Sequence, residues 1–444
     1  MDGDPSFTSG SPEVWIRLLG DRTRCPDDRA PPDAYMRLTR FRKVAMHPSE
    51  RIRGAKSEKL KGKQLVLAIT GSIAAVETVK LSRELIRHGA EVVPVLSKDA
   101  TEIVHPNALQ FATGRVPITR IDGSVPYIEL VGTEGTADLL LIAPATSNTI
   151  AKVAMGIDDT VVTTFAQNAL GAGIPILVAP AMHETMYNNP LIAGHIRALE
   201  KLGVEFITPK FEEEKAKLAD LDEIVERVIR RIGTRELEGK RVVVITGSTM
   251  EPIDDVRVVT NRTSGETGVE LARAAFEKGA AVELWLGRHH ANVPLFLPTK
   301  TFETTEDLMA LATTMEADIC IVPAAISDFT TKKTKGKIPS REGAITLELS
   351  PTPKILPALR KGARVLVGFK AEAGVSASDL KSRAVALMKE VGLDLVVAND
   401  IAKVSRGKTA ILIVDRKGEA ESFGGSKSLA AEKIWRAVLH GLAR

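Results

Sequence analysis

From about residue 60 onward, short continuous apolar runs alternate with segments of helical spacing. Leu65–Ile69 is apolar at every position, which predicts a strand buried on both faces. After the Gly71–Ser72 turn, Ala74–Arg87 places Val76, Val79, Leu81, Leu85 and Ile86 at helical intervals. Gly89 then stands where a helix usually closes, and Glu91–Leu96 reads as the next strand. Leu139–Ala143 and Ile176–Ala179 repeat the buried-strand pattern, Asp220–Ile232 is an amphipathic helix, and Gly233-Thr-Arg-Glu marks a boundary.

Beyond that boundary the pattern restarts. Leu237-Glu-Gly-Lys and Thr246-Gly-Ser echo Leu60-Lys-Gly-Lys and Thr70-Gly-Ser, and Lys278-Gly-Ala echoes His88-Gly-Ala. Ala317-Asp-Ile-Cys-Ile-Val-Pro likewise echoes Ala137-Asp-Leu-Leu-Leu-Ile-Ala-Pro. Strands alternating with helices predict α/β architecture, with two consecutive doubly wound, mostly parallel sheets. The expected divisions are an N-terminal extension over 1–59, poorly ordered, a first domain over 60–234 and a second over 235–444. The extension carries Pro, Asp and Arg without periodicity, and its basic stretch Arg51–Lys63 reads as a solvated lead-in to the first strand.

A length of 444 residues suits two cores better than one. The net charge of +4 and an aromatic content of 4% give no reason to expect nucleic acid. The apolar runs are far shorter than the roughly 20 residues of a membrane span. Two cysteines, Cys25 and Cys320, make neither a disulfide framework nor a metal cluster, so a reducing cytoplasm and no protein-held metal are expected.

Ligands of doubly wound sheets sit where strands end and helices begin. Three such segments stand in the first half: Thr70-Gly-Ser-Ile-Ala-Ala, Ala143-Pro-Ala-Thr-Ser-Asn-Thr and Ala179-Pro-Ala-Met-His. Gly71 lets the backbone approach an anion and Ser72 adds a hydroxyl; the dinucleotide fingerprint GxGxxG is absent. Together with Gly156-Ile-Asp-Asp and Pro180-Ala-Met-His-Glu-Thr-Met-Tyr, these segments resemble the flavin-dependent cysteine decarboxylases, which implies a flavodoxin-like domain. The resemblance further implies FMN bound between subunits of a trimer, contacted by Gly71, Ser72, Ser97, Thr146 and Asn148. In that chemistry the flavin takes electrons from a cysteine thiol so that the adjacent carboxylate leaves as CO2. Three positions depart from the family. Tyr127 precedes Ile-Glu-Leu where the family has histidine, and a phenol of ordinary pKa about 10 is a poor base. His183 replaces the asparagine of Pro-Ala-Met-Asn, and Phe211–Leu218, the expected flap, has no cysteine. His183, as an imidazole, is the expected titrating group, with Tyr127 a neutral donor.

In the second half, Thr246-Gly-Ser-Thr-Met follows a buried strand, and Thr260-Asn-Arg-Thr-Ser-Gly-Glu-Thr-Gly opens a helix over Val269–Lys278, a start suited to a triphosphate. A Walker motif is absent, while Thr331–Lys337 holds four lysines after the strand ending at Ala324-Ala-Ile-Ser-Asp328. With Glu251-Pro-Ile-Asp-Asp-Val-Arg, Thr352-Pro-Lys-Ile-Leu, Val367-Gly-Phe-Lys-Ala-Glu and Leu393-Asp-Leu-Val-Val-Ala-Asn-Asp, these segments resemble the phosphopantothenate–cysteine ligases, with a Rossmann-like domain. The order of the two halves is that of the family of fused decarboxylase–ligases of coenzyme A biosynthesis. The resemblance implies that 4′-phosphopantothenate, activated by CTP or ATP with Mg2+, gives an acyl-nucleotide that cysteine's amine attacks. It assigns Asn261 and Lys337 to catalysis. It assigns Ala324, Asp328, Lys337, Ser350, Pro351, Thr352, Pro353, Phe369 and, as the nearest lysine of its helix, Lys389 to the nucleotide. It also implies dimers through this half. Two other readings stay open: a ligase whose first half only binds flavin or oligomerises, and a nonenzymatic flavoprotein regulator.

Overall fold

Gln64–Ile69 (β1), Glu91–Leu96 (β2), Leu139–Ala145 (β3), Ile176–Pro180 (β4) and Glu205–Phe206 (β6) form the first sheet, every pair parallel, in the order β2-β1-β3-β4-β6. This is the flavodoxin-type order, with a crevice expected where the winding reverses between β1 and β3. The computed structural model describes residues 46–339, 343–400, 402 and 407–442, and from Pro48 onward the chain is one compact unit. The three remaining strands of this half, Met182–His183 (β5), Lys210–Glu212 (β7) and Lys215–Lys217 (β8), form a small antiparallel sheet. β7 and β8 fall in the stretch expected as a flap.

The second sheet runs β13-β12-β9-β14-β17-β18-β19-β20. Its strands are Arg241–Thr246 (β9), Ala281–Leu286 (β12), Thr299–Thr301 (β13), Ala317–Val322 (β14), Ala363–Glu372 (β17), Leu395–Asp400 (β18), Lys408–Asp415 (β19) and Ala420–Ser426 (β20). The first six follow the Rossmann order 3-2-1-4-5-6 in parallel, and β19 and β20 extend the edge antiparallel. Two antiparallel pairs stand apart from it: Met250–Pro252 (β10) with Val258–Thr260 (β11), and Phe329–Thr330 (β15) with Ser350–Pro351 (β16). Two consecutive α/β domains with mostly parallel sheets are therefore present. Apolar side chains cover both faces of each sheet, as the continuous apolar runs require.

The sequence echoes are matching hydrogen bonds. Leu60 N donates to His88 O at 2.8 Å, and Leu237 N to Lys278 O at 2.9 Å. Gly89 and Gly279 follow at φ 103° and 93°, values a side chain would strain. Asp138 accepts from Gln64 N at 2.8 Å, and Asp318 from Arg241 N at 2.9 Å, so each carboxylate satisfies the first amide of its central strand.

Two expectations need correcting. The helix expected over 74–87 begins as a 3-10 turn, Ile73–Glu77, before the α-helix Thr78–Arg87. Thr78 Oγ1 donates to Ala75 O at 2.6 Å, and Val76 is turned outward to 48% exposure. The extension is also not loose over 48–59. Gly54 N donates to Ile86 O at 3.0 Å, Arg53 Nη1 to Ala90 O at 2.6 Å, and Lys59 Nζ pairs with Glu277 and, at 2.9 Å, with Glu432. Basic side chains here have fixed partners in both halves, which composition does not reveal. Residues 1–45, the rest of that extension, lie outside the described residues. The helix Leu221–Ile232 is the other join: Arg230 Nη1 donates to Phe276 O at 2.7 Å and Ala280 O at 2.8 Å, and its guanidinium lies 4.6 Å from the Phe276 ring centroid.

Candidate functional site

At the first switch point the strand ends are tied together. Thr70 Oγ1 donates to Pro144 O at 2.7 Å and accepts from Thr146 N at 3.0 Å, while Ala181 N donates to Ala145 O at 3.0 Å. The ends of β1, β3 and β4 thus converge. Gly71 is required by space: a Cβ there would lie 2.5 Å from Asp99 Cβ. Ser97 and Thr146 cap the helices Lys98–Thr101 and Ser147–Met155, accepting from Ala100 N at 3.2 Å and Thr149 N at 3.3 Å. Their hydroxyls are partly committed to those caps. Ser72 leads the 3-10 turn with no capping bond, and Asn148 is exposed in the first turn of its helix. A rim of small residues, neutral hydroxyls and an amide at helix starts fits a phosphate-bearing flavin.

Within Gly156-Ile-Asp-Asp, Lys152 Nζ pairs with Asp159 at 2.7 Å, and Thr164 Oγ1 donates to Asp158 Oδ1 at 2.5 Å. That motif is a tie between two helices. His183 lies on β5, opposite Lys215 of the flap, and is exposed. Tyr127, in the helix Pro126–Val131, packs its ring against the apolar cluster that includes Leu130, Ile142 and Phe165. The two side chains stand on different elements, and no hydrogen bond joins them among the described residues.

The second switch point, between β9 and β14, is more densely cross-linked. Ala325 N donates to Gly247 O at 2.9 Å, and Ser327 N to Thr249 Oγ1 at 2.9 Å. Asn261 reaches across the crevice, its Nδ2 donating to Ala325 O at 3.2 Å and Ile326 O at 3.1 Å. Gly268 packs so tightly on Thr246 that a Cβ would lie 2.2 Å from the threonine Cβ, which seats the start of helix Glu266–Glu277 against the strand end.

Sequence reasoning quoted Asp254, Asp255 and Arg257 without giving them roles. The Asp254 carboxylate accepts from Val256 N at 2.8 Å, Arg257 N at 2.6 Å and Ile338 N at 3.1 Å, and pairs with Arg257 Nη1 at 2.7 Å. Burial alone would raise its pKa, but these donors hold it down to about 2. Asp255 accepts from Gly336 N at 2.8 Å and pairs with Lys333 at 2.9 Å. This acidic clasp fixes the backbone of the lysine loop on both sides of exposed Lys337. Two acids before a hydrophobic and an arginine, in a chain with an isolated lysine run, were the signal available.

Asp328 is exposed and pairs with Lys354 at 2.7 Å. Thr352 is buried and bonds Ser327 O at 2.6 Å, which brings Ser350, Pro351 and Pro353 to the same strand end as Ala324. Phe369, in the last third of β17, packs partly against the core. Lys389 stands apart from these residues. It lies in the last turn of helix Ala377–Val391, which runs back from the end of β17 to the start of β18. About 15 Å or more of helix, at 1.5 Å per residue, separates it from the strand ends that hold the other residues. Cys320 is fully buried in β14, where burial pushes its thiol pKa up; Cys25 lies outside the described residues. Among the described residues no helix is long and apolar enough to cross a membrane.

A family model described as Flavoprotein matches residues 53–233, and one described as DNA/pantothenate metabolism flavoprotein C-terminal domain matches residues 237–442. The chain is 46% identical over 399 residues to the Coenzyme A biosynthesis bifunctional protein CoaBC of Thermococcus kodakarensis, covering 88% of this chain and 98% of that protein. The protein of the same name from Methanocaldococcus jannaschii is 39% identical over 396 residues (88% and 96%), and that from Bacillus subtilis 32% over 360 (77% and 87%). Among solved structures, the C-terminal domain of a coenzyme A biosynthesis bifunctional protein CoaBC is 27% identical with TM-score 0.39, over 47% of this chain and 98% of that one. The FMN-dependent cysteine decarboxylase SpaF is 27% identical with TM-score 0.35, over 39% and 98%.

Proposed function

This chain belongs to the family of bifunctional coenzyme A biosynthesis proteins, and from that premise we propose how its two switch-point sites divide the work. The second half ligates 4′-phosphopantothenate to cysteine at the expense of a nucleoside triphosphate, and the first decarboxylates the product to 4′-phosphopantetheine. The division falls at residues 234–235.

The observation that carries the ligase assignment is the bridge from Asn261 to the carbonyls of Ala325 and Ile326. With both Nδ2 protons committed there, its Oδ1 remains an acceptor for cysteine's amine as that amine attacks the acyl-nucleotide. Lys337, held in place by the Asp254–Arg257 clasp, offsets charge that develops on the acyl-nucleotide. Ala324, Asp328, Phe369 and the segment 350–353 line the nucleotide, whose phosphates carry Mg2+. CTP is the proposed donor, with ATP the alternative.

In the first half, Gly71, Ser72, Ser97, Thr146 and Asn148 hold FMN at the ends of β1, β2 and β3. When bound, flavin supplies the two-electron sink that makes carboxylate loss feasible. His183 orients the substrate carboxylate or accepts the thiol proton, and its place beside the flap lets closure exclude water. Tyr127 acts as a neutral donor whose ring is a packing element. The flavin site is completed by neighbouring copies in a trimer, the ligase half pairs as a dimer, and the enzyme works in the cytoplasm on small-molecule substrates.

The test is a coupled assay with phosphopantothenate, cysteine and either CTP or ATP, following pyrophosphate and CO2 together. Release of both supports the assignment. Pyrophosphate without CO2 at any pH between 5 and 9 leaves the first half as a flavin-binding scaffold, and neither product sinks the ligase reading.

A further inference from the structure

The small sheet of the first half has two unlike faces. Met182 of β5 stands opposite Ala216 of β8, and Ala216 opposite Phe211 of β7. Ala216 is fully buried, Met182 packs against the core, and the Phe211 ring meets Tyr187 edge-on with centroids 5.5 Å apart. Successive strand residues point to opposite faces, so His183, Lys215 and Glu212 form a row on the other face, and all three are exposed. The hairpin that carries Lys215 is held in register. Glu184 N donates to Glu214 O at 3.1 Å, and the turn residues Glu213 and Glu214 are both left-handed, at φ 52° and 58°, as a tight two-residue hairpin turn requires. Side chains directly opposite on one face have Cβ atoms about 5 Å apart, so the His183 imidazole and the Lys215 ammonium serve the same space. Ala181 N, two residues before His183, is bonded to Ala145 O, which places the row about 7 Å along the chain from the converged strand ends.

The cations of this face are not equally committed. Lys210 pairs with Asp220, and Lys217 pairs with Glu212 at 3.2 Å and Glu213 at 2.9 Å. Both glutamates nearest Lys215 are thereby drawn to Lys217. Among the described residues Lys215 has neither a hydrogen bond nor an ion pair, and it stands beside the one histidine of this row. A carboxylate keeps its charge throughout the neutral range and is matched by a cation that does the same, whereas a thiol proton needs a base that is neutral near pH 7. Lysine meets the first need and imidazole the second. Resting on the decarboxylase reading above, we propose that Lys215 binds the carboxylate of the decarboxylase substrate, which leaves His183 to accept the thiol proton. The two side chains thus divide the roles that a histidine alone would have to combine.

The experiment measures Kd by calorimetry on the full-length, flavin-loaded protein, with melting temperature and flavin absorbance as controls for folding. Two probes are used. 4′-Phospho-N-pantothenoylserine keeps the carboxylate and has a hydroxyl in place of the thiol; 4′-phosphopantetheine has the thiol and no carboxylate. Lys215→Met should weaken the serine compound on the order of tenfold, the size expected of one charge-assisted bond, and leave 4′-phosphopantetheine within about twofold. Lys215→Arg should bind both probes as wild type does. His183→Ala should hold the serine compound within about threefold of wild type while CO2 release from 4′-phospho-N-pantothenoylcysteine falls. An unchanged Kd for the serine compound in Lys215→Met overturns the proposal. Equal weakening of both probes overturns it as well, because the cation would then be reading the phosphate. Affinity lost in His183→Ala and kept in Lys215→Met exchanges the two roles and overturns it too. A wild type that shows the expected binding pattern and releases no CO2 overturns the decarboxylase reading alone, and one that binds neither probe overturns both.

Discussion

The two halves are built alike at the N-terminal ends of their sheets and differently at the C-terminal ends. At one end the same turn recurs, with Leu60 and Leu237 bonded to His88 and Lys278 and with Asp138 and Asp318 serving the central strands. At the other, the ligase half cross-links its own crevice through Asn261, Ser327, Thr352 and the Asp254 clasp. The flavin half leaves Asn148 and His183 exposed, together with apolar Ile73 and Met186. A scaffold end answers only to folding, so similar sequences recur there. A functional end answers to its ligand: one chain organises much of the ligase crevice, whereas the open flavin rim is what a site shared between copies would need.

The largest effect that sharpens this comparison is expected at the ligase crevice. Asn261→Ala should lower pyrophosphate-linked ligation on the order of a hundredfold while CO2 release from supplied 4′-phospho-N-pantothenoylcysteine stays intact. Wild-type ligation by that variant would break the assignment. In the flavin half, His183→Ala should cut CO2 release by some tens of fold and keep the flavin absorbance and ligase rate. A variant as fast as wild type removes His183 from the chemistry.

Next comes acid. Burial, reinforced by the cations of Lys56 and Lys59, pushes His88 down to about 4, so the folded state resists the proton that the unfolded chain accepts near 6.5. Stability should therefore be complete above pH 6.5 and fall as pH drops toward 4, by no more than about 1.4 kcal/mol per pH unit. At the equivalent turn, Lys278 pairs with Glu236 and Glu432. Burial would raise both acids, but nearby lysines, Lys278 at Glu236 and Lys59 with Lys278 at Glu432, hold them below the ordinary value. Their contribution is present above about pH 4.5 and is lost only below it. Denaturant titrations at pH 4.5–7 should lose much of their slope in His88→Asn; an unchanged slope would dissociate acid sensitivity from this turn. The smallest effect is expected at Tyr127. Tyr127→Phe should retain CO2 release within severalfold, because the ring packing survives, and a loss as deep as that of His183→Ala would make its hydroxyl part of the chemistry.

Much of this was legible along the chain. Continuous apolar runs separated by helical spacing specify strands covered on both faces, because a strand exposed on one side would alternate, and this alone predicts parallel sheets and strand-end sites. The positions of Gly71 and Ser72 followed from where those strands stop, whereas Asn261 and Lys337 were singled out by the resemblance to the ligases. Local pattern could not say which side chains meet across the crevice. Thr352 and Ser327 are 25 residues apart, Asp254 and Ile338 are 84 apart, and Lys427 and Glu266 are 161 apart. Nor could it reveal that Lys389 lies in the last turn of its helix, away from the strand ends that hold the other residues, or that the basic lead-in at Arg53 and Lys59 is bonded into both halves. Periodicity reports which face of an element is buried, and it carries no information about which distant segment does the burying. That is settled only when the strand order brings the segments together.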